Sequence, residues 1–149
     1  MTDPMVSLVA EVDTLRKRLE RQEVKEKPVI ATGWTFLAEA LTSTSWDGDA
    51  KGTANNGILD LSAVFNVPAG VDAVLVLLTV KDNSSGDTRY VALGPSSGNY
   101  SMVTRVMAND VYNTTQGVVP CDANGDIYVK MSGDNIDYVH LSIWGYYQS

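Results

Sequence analysis

The chain has 149 residues, of which 44% are hydrophobic, 19% charged and 8% aromatic, and its formal net charge is −7. This length suffices for one domain with a short appendage. With one cysteine and one histidine, the chain cannot form a Cys/His zinc site, a disulfide framework or a CxxC redox centre, and a catalytic triad would need the single His140. The acidic balance argues against nucleic acid as a partner, because binding phosphates requires a basic surface.

The charge is divided unevenly along the chain. Residues 1–27 hold six acids and six bases, whereas residues 28–149 hold twelve acids, eleven of them Asp, and only five bases. Glu and Lys favour helices, while Asp favours turns. The shift predicts an α-helical oligomerisation or attachment segment over residues 1–27 and a turn-rich β domain over residues 28–149.

The first residues have neither the basic start nor the apolar run of a secretory signal, and the longest apolar stretch, Ala73 to Leu78, is too short for a membrane span. We therefore expect synthesis in the cytoplasm of the producing cell, without membrane insertion.

Apolar residues in the N-terminal segment follow alternating spacings of three and four, which is the seam of a coiled-coil heptad. This narrow stripe suits another copy of the same helix, although an amphipathic helix packed on its own domain is the alternative. The predicted seam positions are Met5, Val12 and Leu19 at a, and Leu8, Leu15 and Gln22 at d.

Charges beside the seam favour a parallel arrangement. In a parallel coil Glu11 faces Arg16 of the neighbouring chain and Arg18 faces Glu23, so both pairs are opposite in sign. The run from Arg18 to Glu23 resembles a motif of parallel three-stranded coils, with Gln22 as the departure. We expect a homotrimer, while Val12 at a with Leu15 at d would also tolerate a dimer.

After Pro28 the apolar period changes to two, which predicts a mainly β domain. The turn signals between about eight short strands favour an antiparallel β-sandwich of jelly-roll type. Strand Ala73–Val80 is apolar on both faces and is expected to be central and covered on both. The predicted strands are Trp34–Leu41, Leu59–Val67, Ala73–Val80, Thr88–Leu93, Met102–Met107, Val111–Val119, Ile127–Met131 and Tyr138–Tyr147.

The last predicted strand has an aliphatic face and an aromatic face. Val139, Leu141 and Ile143 read as core, whereas the alternate positions are too apolar for a solvated face. They pack either under a second sheet edge or, as we prefer, against a neighbouring subunit. The expected interface residues on this face are His140, Trp144 and Tyr146.

Two loops contain residues typical of ligand-binding sites, but their spacing favours structural roles. Oxygen side chains alternate at Asp122, Asn124 and Asp126, as in calcium loops, yet the spacing fails the EF-hand pattern and fits a hairpin loop better. Trp46 beside Asp47 and Asp49 could cradle a sugar, although the Asp-Gly pair is first a turn signal. We expect no metal, no cofactor and no catalytic residue. Candidate ligand-binding aromatics on loops are Trp46, Tyr100 and Tyr112.

Three segments carry a family resemblance: residues 33–36, residues 59–71 and residues 141–146. Together with the N-terminal coil, they resemble the small trimeric fibre, spike and decoration proteins of tailed bacteriophage virions. The resemblance implies a non-enzymatic virion component, threefold symmetric and exposed on the surface of the particle. Its partners would be other copies of itself and the capsid, neck or tail proteins. The alternative is a carbohydrate- or receptor-binding β-sandwich that recognises a host surface glycan.

Overall fold

The computed structural model describes residues 4–26, 32–50, 52–83, 89–134 and 136–149. It divides into two compact units, residues 1–31 and residues 32–149. The first unit holds helix α1, and the second holds eight strands and the short helix α2. The bounds are α1 (Pro4–Glu26), β1 (Gly33–Leu41), β2 (Gly57–Leu59), α2 (Leu61–Phe65), β3 (Ala73–Lys81), β4 (Tyr90–Gly94), β5 (Met102–Arg105), β6 (Asn113–Pro120), β7 (Ile127–Met131) and β8 (Tyr138–Gln148).

Helix α1 runs for 23 residues, which is about 34 Å at 1.5 Å per residue. Its described side chains, those of residues 5–18, are all exposed. Helices of this kind take most of their stability from packing of the apolar face rather than from intrinsic propensity. Among the described residues, no helix combines the length and the apolar character needed to cross a lipid bilayer.

The second unit consists of two four-stranded antiparallel sheets, which confirms the prediction of a mainly β domain. Sheet I has the strand order β1-β8-β3-β6, and sheet II has the order β2-β7-β4-β5. The inward-facing residues of both sheets form one hydrophobic core. Its fully buried members include Val76 and Leu78 of sheet I and Leu93, Ile127 and Met131 of sheet II.

Strand β3 lies inside sheet I, between β8 and β6, as predicted for a central strand. Its alternate residues Val74, Val76, Leu78 and Val80 are fully buried. The opposite parity, which includes Leu75 and Leu77, is only half-buried. The expectation that both faces are covered is therefore wrong, because sheet II covers one face and the aliphatic side chains of the other point outward.

The predicted strand over residues 59–67 is wrong: the chain forms the short strand β2 and then the helix α2. Asp60 begins this helix as its N-cap, since its carboxylate accepts a hydrogen bond from the Ala63 N–H at 3.0 Å. Asn66 ends it in the left-handed region, with φ 58°. Leu61 and Phe65 are buried in this helix, and a separation of four residues places them on one face in either conformation. Local capping decided between the two.

The strict alternation predicted for β8 is wrong beyond Ile143. Val76 pairs with Ile143, but Leu75 pairs with Gly145, so Trp144 is an extra residue in a β-bulge. A bulge reverses which face each later residue occupies. Tyr146 consequently pairs with buried Val74 and packs against the core.

Candidate functional site

The predicted coiled-coil seam lies open on helix α1. Met5, Leu8, Val12 and Leu15 are 56–69% exposed, far more than any core residue of the β domain. Beside them, Glu11, Arg16 and Arg18 are exposed as well. The remaining predicted coil residues, Leu19, Gln22 and Glu23, belong to the helix, but their side chains lie outside the described part of the chain.

The three predicted interface residues of β8 do not share one surface. His140 is exposed on the outer side of sheet I, opposite Thr79, and its ring stacks on Tyr138 with 6.1 Å between centroids. Trp144, in the bulge, is half-buried. Tyr146 faces the core. The bulge is the physical reason for this separation.

A different aromatic group is exposed on the outer side of sheet I. Trp34 stacks on Phe36 with 5.9 Å between ring centroids, and Tyr147 lies 5.6 Å from Trp34. Phe36 is 70% exposed. Gly145 lies directly opposite Phe36, and a Cβ there would come within 2.9 Å of the Thr35 carbonyl oxygen. We call Trp34, Phe36 and Tyr147 the aromatic face.

Trp46, a predicted sugar-binding residue, is half-buried and packs against Phe65, with 6.3 Å between centroids. It lines two clefts, of about 270 and 150 Å³. The neighbouring carboxylates serve the loop: Asp47 accepts from the Asp49 N–H at 3.0 Å, and Asp49 accepts from the Val139 N–H. Trp46 and its two acids thus fasten this loop to the core and to β8.

In the acidic loop between β6 and β7, the carboxylates likewise accept hydrogen bonds from backbone N–H groups. Asp122 accepts hydrogen bonds from the N–H groups of Asn124 at 2.9 Å and Asp126 at 3.0 Å. Asp126 accepts from the Leu61 N–H at 3.1 Å, which ties the loop to α2. The predicted hairpin is wrong, because β6 belongs to sheet I and β7 to sheet II. The described residues hold no group of three or more His, Cys, Asp or Glu arranged to bind a metal ion.

Cys121, at the start of this loop, is partly buried against the core. Burial raises the pKa of its thiol to about 12, and the nearby carboxylates of Asp122, Asp126 and Asp72 contribute to the rise. A thiol that stays protonated at neutral pH is a poor nucleophile. Loss of solvation also raises the pKa of Asp126, against the opposing effect of the Leu61 hydrogen bond.

Tyr112, another predicted ligand-binding residue, is 58% exposed at one end of sheet I. Its ring meets Tyr138 edge-on, with 5.1 Å between centroids. The Lys81 ammonium lies 5.0 Å from the centre of the Tyr112 ring. This contact joins one lysine to one tyrosine.

Tyr100, the third predicted aromatic, belongs to a larger cluster on the outer side of sheet II. Its ring lies 6.2 Å from that of Tyr128. Lys130 shares the outward face of β7 with Tyr128, since Ile127, Val129 and Met131 fill the core face. Tyr90 pairs directly with Arg105 across β4 and β5. We call this cluster the tyrosine face: Tyr90, Tyr100, Arg105, Tyr128 and Lys130.

Cations lie over the rings of the tyrosine face. The Arg105 guanidinium is 5.1 Å from the Tyr90 centroid, and the Lys130 ammonium is 5.8 Å from Tyr100 and 6.0 Å from Tyr90. These distances are typical of cation–π attraction. Neither cation has a carboxylate within 4.0 Å among the described residues. By contrast, Arg89 donates to buried Asp82 at 2.7 Å.

A cleft of about 520 Å³ opens beside the tyrosine face, within the usual size range of small-ligand sites. Tyr90 and Lys130 belong to both. Residues at the cleft that carry polar groups are Thr53, Asn56, Arg89, Tyr90, Lys130 and Ser132.

Two of the five members of the tyrosine face, Tyr90 and Arg105, could only be found in the folded chain, whereas Tyr100 was already a candidate aromatic. Alternation along the predicted strand Ile127–Met131 is a signal that could have indicated a shared outward face for Tyr128 and Lys130, because they are two residues apart. Nothing in the local pattern of Tyr90, Tyr100 and Arg105 indicates that they join this pair, since that depends on the pairing of β4 with β5 and β7.

Comparisons with protein-family models and with curated proteins return no match for this chain.

Proposed function

We propose that this protein is a non-enzymatic structural component of a bacteriophage virion, a homotrimeric head decoration or fibre protein or a short spike. It would be attached to the particle by its N-terminal segment and exposed on the surface. Its partners are other copies of itself and capsid, neck or tail proteins.

The observation that carries the proposal is the open seam of helix α1. Four apolar side chains in heptad positions are each more than half exposed. A helix of this length with an unburied apolar stripe gains stability mainly by packing that stripe. Copies of the same helix fit the stripe, because Glu11 and Arg16 are at g and e positions with opposite charges, as are Arg18 and Glu23.

The strand order of the β domain supports a jelly roll as its finer classification. Sheet I contains strands 1, 8, 3 and 6, and sheet II contains strands 2, 7, 4 and 5. This is the order that arises when one long antiparallel hairpin is rolled up, so that strands 1 and 8, 2 and 7, and 3 and 6 pair. Jelly rolls of eight strands are common in viral capsid and lectin domains.

A second contact between copies is proposed on the aromatic face. Trp34 follows the end of α1 by eight residues in sequence, so a coil that brings three helices together also brings three copies of β1 close. Trp34, Phe36 and Tyr147 take over the stacking role that the sequence pattern assigned to His140, Trp144 and Tyr146. Three β domains of net charge −7 each would keep the outer surface acidic.

Light scattering of the full chain tests the assembly. Three copies of 16.1 kDa give an expected mass of about 48 kDa. Val12→Asp, in the seam, should yield the monomer, whereas Val6→Asp should leave the trimer intact. The two valines are equally exposed within the chain, at 57% and 62%, but Val6 is at the outward b position. A monomeric wild type would refute the trimer, and equal behaviour of both variants would refute the assigned seam.

The virion role requires a separate measurement. Mass spectrometry of purified particles that carry the gene should find the chain in a copy number that is a multiple of three. Val12→Asp should reduce its incorporation, and Val6→Asp should not. Particles that lack the chain altogether would contradict the role even if the trimer forms.

The second candidate function is a carbohydrate- or receptor-binding module that recognises the host surface. The tyrosine face favours it, since aromatic rings beside polar groups suit sugar recognition. Trp46→Ala and Tyr112→Ala test the loop sites that the sequence suggested, and Tyr100→Ala tests the tyrosine face. Loss of cell adsorption only in Tyr100→Ala, with the trimer intact, would support binding at this face.

A further inference from the structure

The tyrosine face concentrates positive charge on an acidic domain. Residues 28–149 contain twelve acids and five bases, yet Arg105, Lys130 and the nearby Arg89 all lie at sheet II or its cleft. Arg89 is engaged by Asp82. Arg105 and Lys130, by contrast, lie over tyrosine rings of the tyrosine face. An anion that reaches this face therefore meets two cations whose charge no described carboxylate neutralises.

The tyrosine rings of this face also offer an apolar surface on which a ligand can pack. Tyr100 and Tyr128 lie next to each other at 6.2 Å, tilted by 47°. A tyrosine ring covers the apolar CH side of a sugar, and its hydroxyl remains available for a hydrogen bond. The face therefore combines sites for a carboxylate with sites for a pyranose ring.

The cleft beside Tyr90 adds a hydrogen-bond donor. The Ser132 hydroxyl oxygen accepts from the Tyr90 N–H at 2.7 Å. Its own proton thus remains free to be donated to a ligand oxygen. Thr53 donates its hydroxyl proton to Asp134 at 3.0 Å and can still accept from a sugar hydroxyl. Both hydroxyls suit a ligand rich in oxygen.

Two structural devices hold the site in place without a ligand. The Asn56 side chain accepts from the Met131 N–H at 2.6 Å and donates to the Met131 carbonyl at 3.2 Å, which fixes the edge of β7. Gly94 lets the following loop fold back over β4, because a Cβ there would lie 1.9 Å from the Asn99 carbonyl oxygen. This close approach brings Tyr100 beside Tyr128. A prearranged site loses less entropy on binding.

We infer that the tyrosine face and its cleft bind a saccharide that carries carboxylate groups. The carboxylate lies between Lys130 and Arg105, the sugar ring packs on Tyr100 and Tyr128, and hydroxyls reach Ser132 and Thr53. Charge complementarity selects this ligand over a neutral sugar. The acidic remainder of the domain selects it over nucleic acid, because a polyphosphate extending past the face meets like charge.

This inference deepens the second candidate function and is independent of trimer formation. Calorimetric titration of the full chain with oligogalacturonate, a sugar chain bearing carboxylates, tests it directly. Fully methyl-esterified oligogalacturonate serves as the neutral match, and oligoglutamate as the anion without sugar rings. We expect binding of the free acid, at least tenfold weaker binding of the ester, and little binding of oligoglutamate.

Matched variants locate the site. Lys130→Gln should weaken oligogalacturonate binding about tenfold, as expected for loss of a charge-assisted hydrogen bond. Lys81→Gln is its control, since Lys81 makes the same kind of contact with Tyr112 on the other sheet. Tyr100→Ala should weaken binding, and Tyr112→Ala should not. Should Lys130→Gln fail to fold, Arg105→Gln replaces it, because Arg105 is exposed.

Each result separates the inference from the function beneath it. Equal losses in Lys130→Gln and Lys81→Gln would overturn the site. Equal binding of acid and ester would overturn the requirement for carboxylate while leaving a glycan-binding module in place. Binding of oligoglutamate as tight as that of oligogalacturonate would show that the site needs no sugar ring, and would overturn the assignment of a saccharide ligand. No binding of either sugar at millimolar concentration would overturn the inference, whereas the second candidate function is decided separately by the cell adsorption of Tyr100→Ala.

Discussion

The apolar side chains described in helix α1 are exposed, whereas those at the core of the β domain are buried. In the β domain, residues such as Phe65, Val76 and Ile143 are at most 1% exposed. In the helix, Val12 and Leu15 are 57% and 61% exposed. At about 25 cal/mol per Å² of apolar surface removed from water, the first region carries its own stability within one chain. The second carries an apolar stripe whose burial is expected to come from other copies of the chain.

The difference shows that the two regions of this sequence are specified by different kinds of interaction. The β domain is specified by contacts distant in sequence, such as β1 with β8, and these close the core within the chain. The helix is specified locally, by its period and charges, and its exposed apolar face is the one proposed to associate with other copies. Substitutions in the two regions should therefore have different consequences, and the following experiments are arranged from the largest expected effect to the smallest.

Removing a core ring should cost the most stability. Phe65→Ala is expected to lower the free energy of unfolding by about 3–5 kcal/mol, since Phe65 is 1% exposed and packs against Trp46. Phe36→Ala is the matched control when both changes are made in the dissociated Val12→Asp chain, because Phe36 is 70% exposed within one chain and should cost far less in urea denaturation. Equal losses there would mean that Phe36 is covered within the chain itself.

A methyl group at Gly125 should cost the next largest amount. Gly125 has φ +83°, and an added Cβ would lie 2.6 Å from the Gly70 nitrogen. Gly98, with φ +80° and no atom within 4 Å of an added Cβ, isolates the conformational cost alone. We expect Gly98→Ala to lose about 1–2 kcal/mol and Gly125→Ala clearly more in thermal denaturation. Similar losses would show that the Gly70 segment moves aside freely.

The Cys121 thiol should report whether the β domain opens. Its pKa is raised from 9.0 to about 12, so at pH 8 the native thiol is almost wholly protonated, while the unfolded one is partly ionised. The folded pKa is the higher one, so this group's contribution to stability is complete below pH 9 and is lost between about pH 9 and 12. Alkylation at pH 8 should be at least tenfold slower in native protein than in urea. Equal rates would contradict the burial of Cys121.

The smallest expected effect belongs to the helix. Val12→Asp should lower the melting temperature of the β domain only slightly, through loss of the proposed contact at the aromatic face, because the buried core of the domain closes within one chain. Differential scanning calorimetry of the full chain with Val6→Asp as reference measures this. A large fall in the main transition would mean that the domain depends on assembly, and the contrast between the two regions would then fail.

Several features of the domain followed from sequence pattern alone. Strand β7 coincides with its predicted range, and β1, β3 and β8 differ from theirs by one residue. Alternating or continuous apolar runs sufficed there because turn residues bound each of them. The prediction for the segment after β2 was wrong because Leu61 and Phe65 share a face in a helix as in a strand. In a strand Ala63 would lie on that face as well, whereas in the structure it is exposed.

The candidate site could be predicted only in pieces. Tyr100 was among the candidate aromatics, and the alternation of a predicted strand could have paired Tyr128 with Lys130. Tyr90 and Arg105 join them through the register of β4 with β5 and β7. Trp46, expected on an accessible loop, and Tyr146, expected at a subunit interface, both pack against the core. A loop or a bulge sets such positions, and neither changes the hydrophobic pattern by which strands are recognised.

By itself, the sequence determined the division into a helical segment and a mainly β domain, most strand positions and the net charge of each region. These depend on composition and on periods of two or 3.5 residues, which are local properties. Only the tertiary structure decided which residues meet. Sheet pairing gathers three tyrosines, a lysine and an arginine from three strands and a loop onto one surface of an acidic domain, and the bulge at Trp144 turns Tyr146 inward. Contacts between distant segments depend on register and chain closure, and no local pattern contains that information.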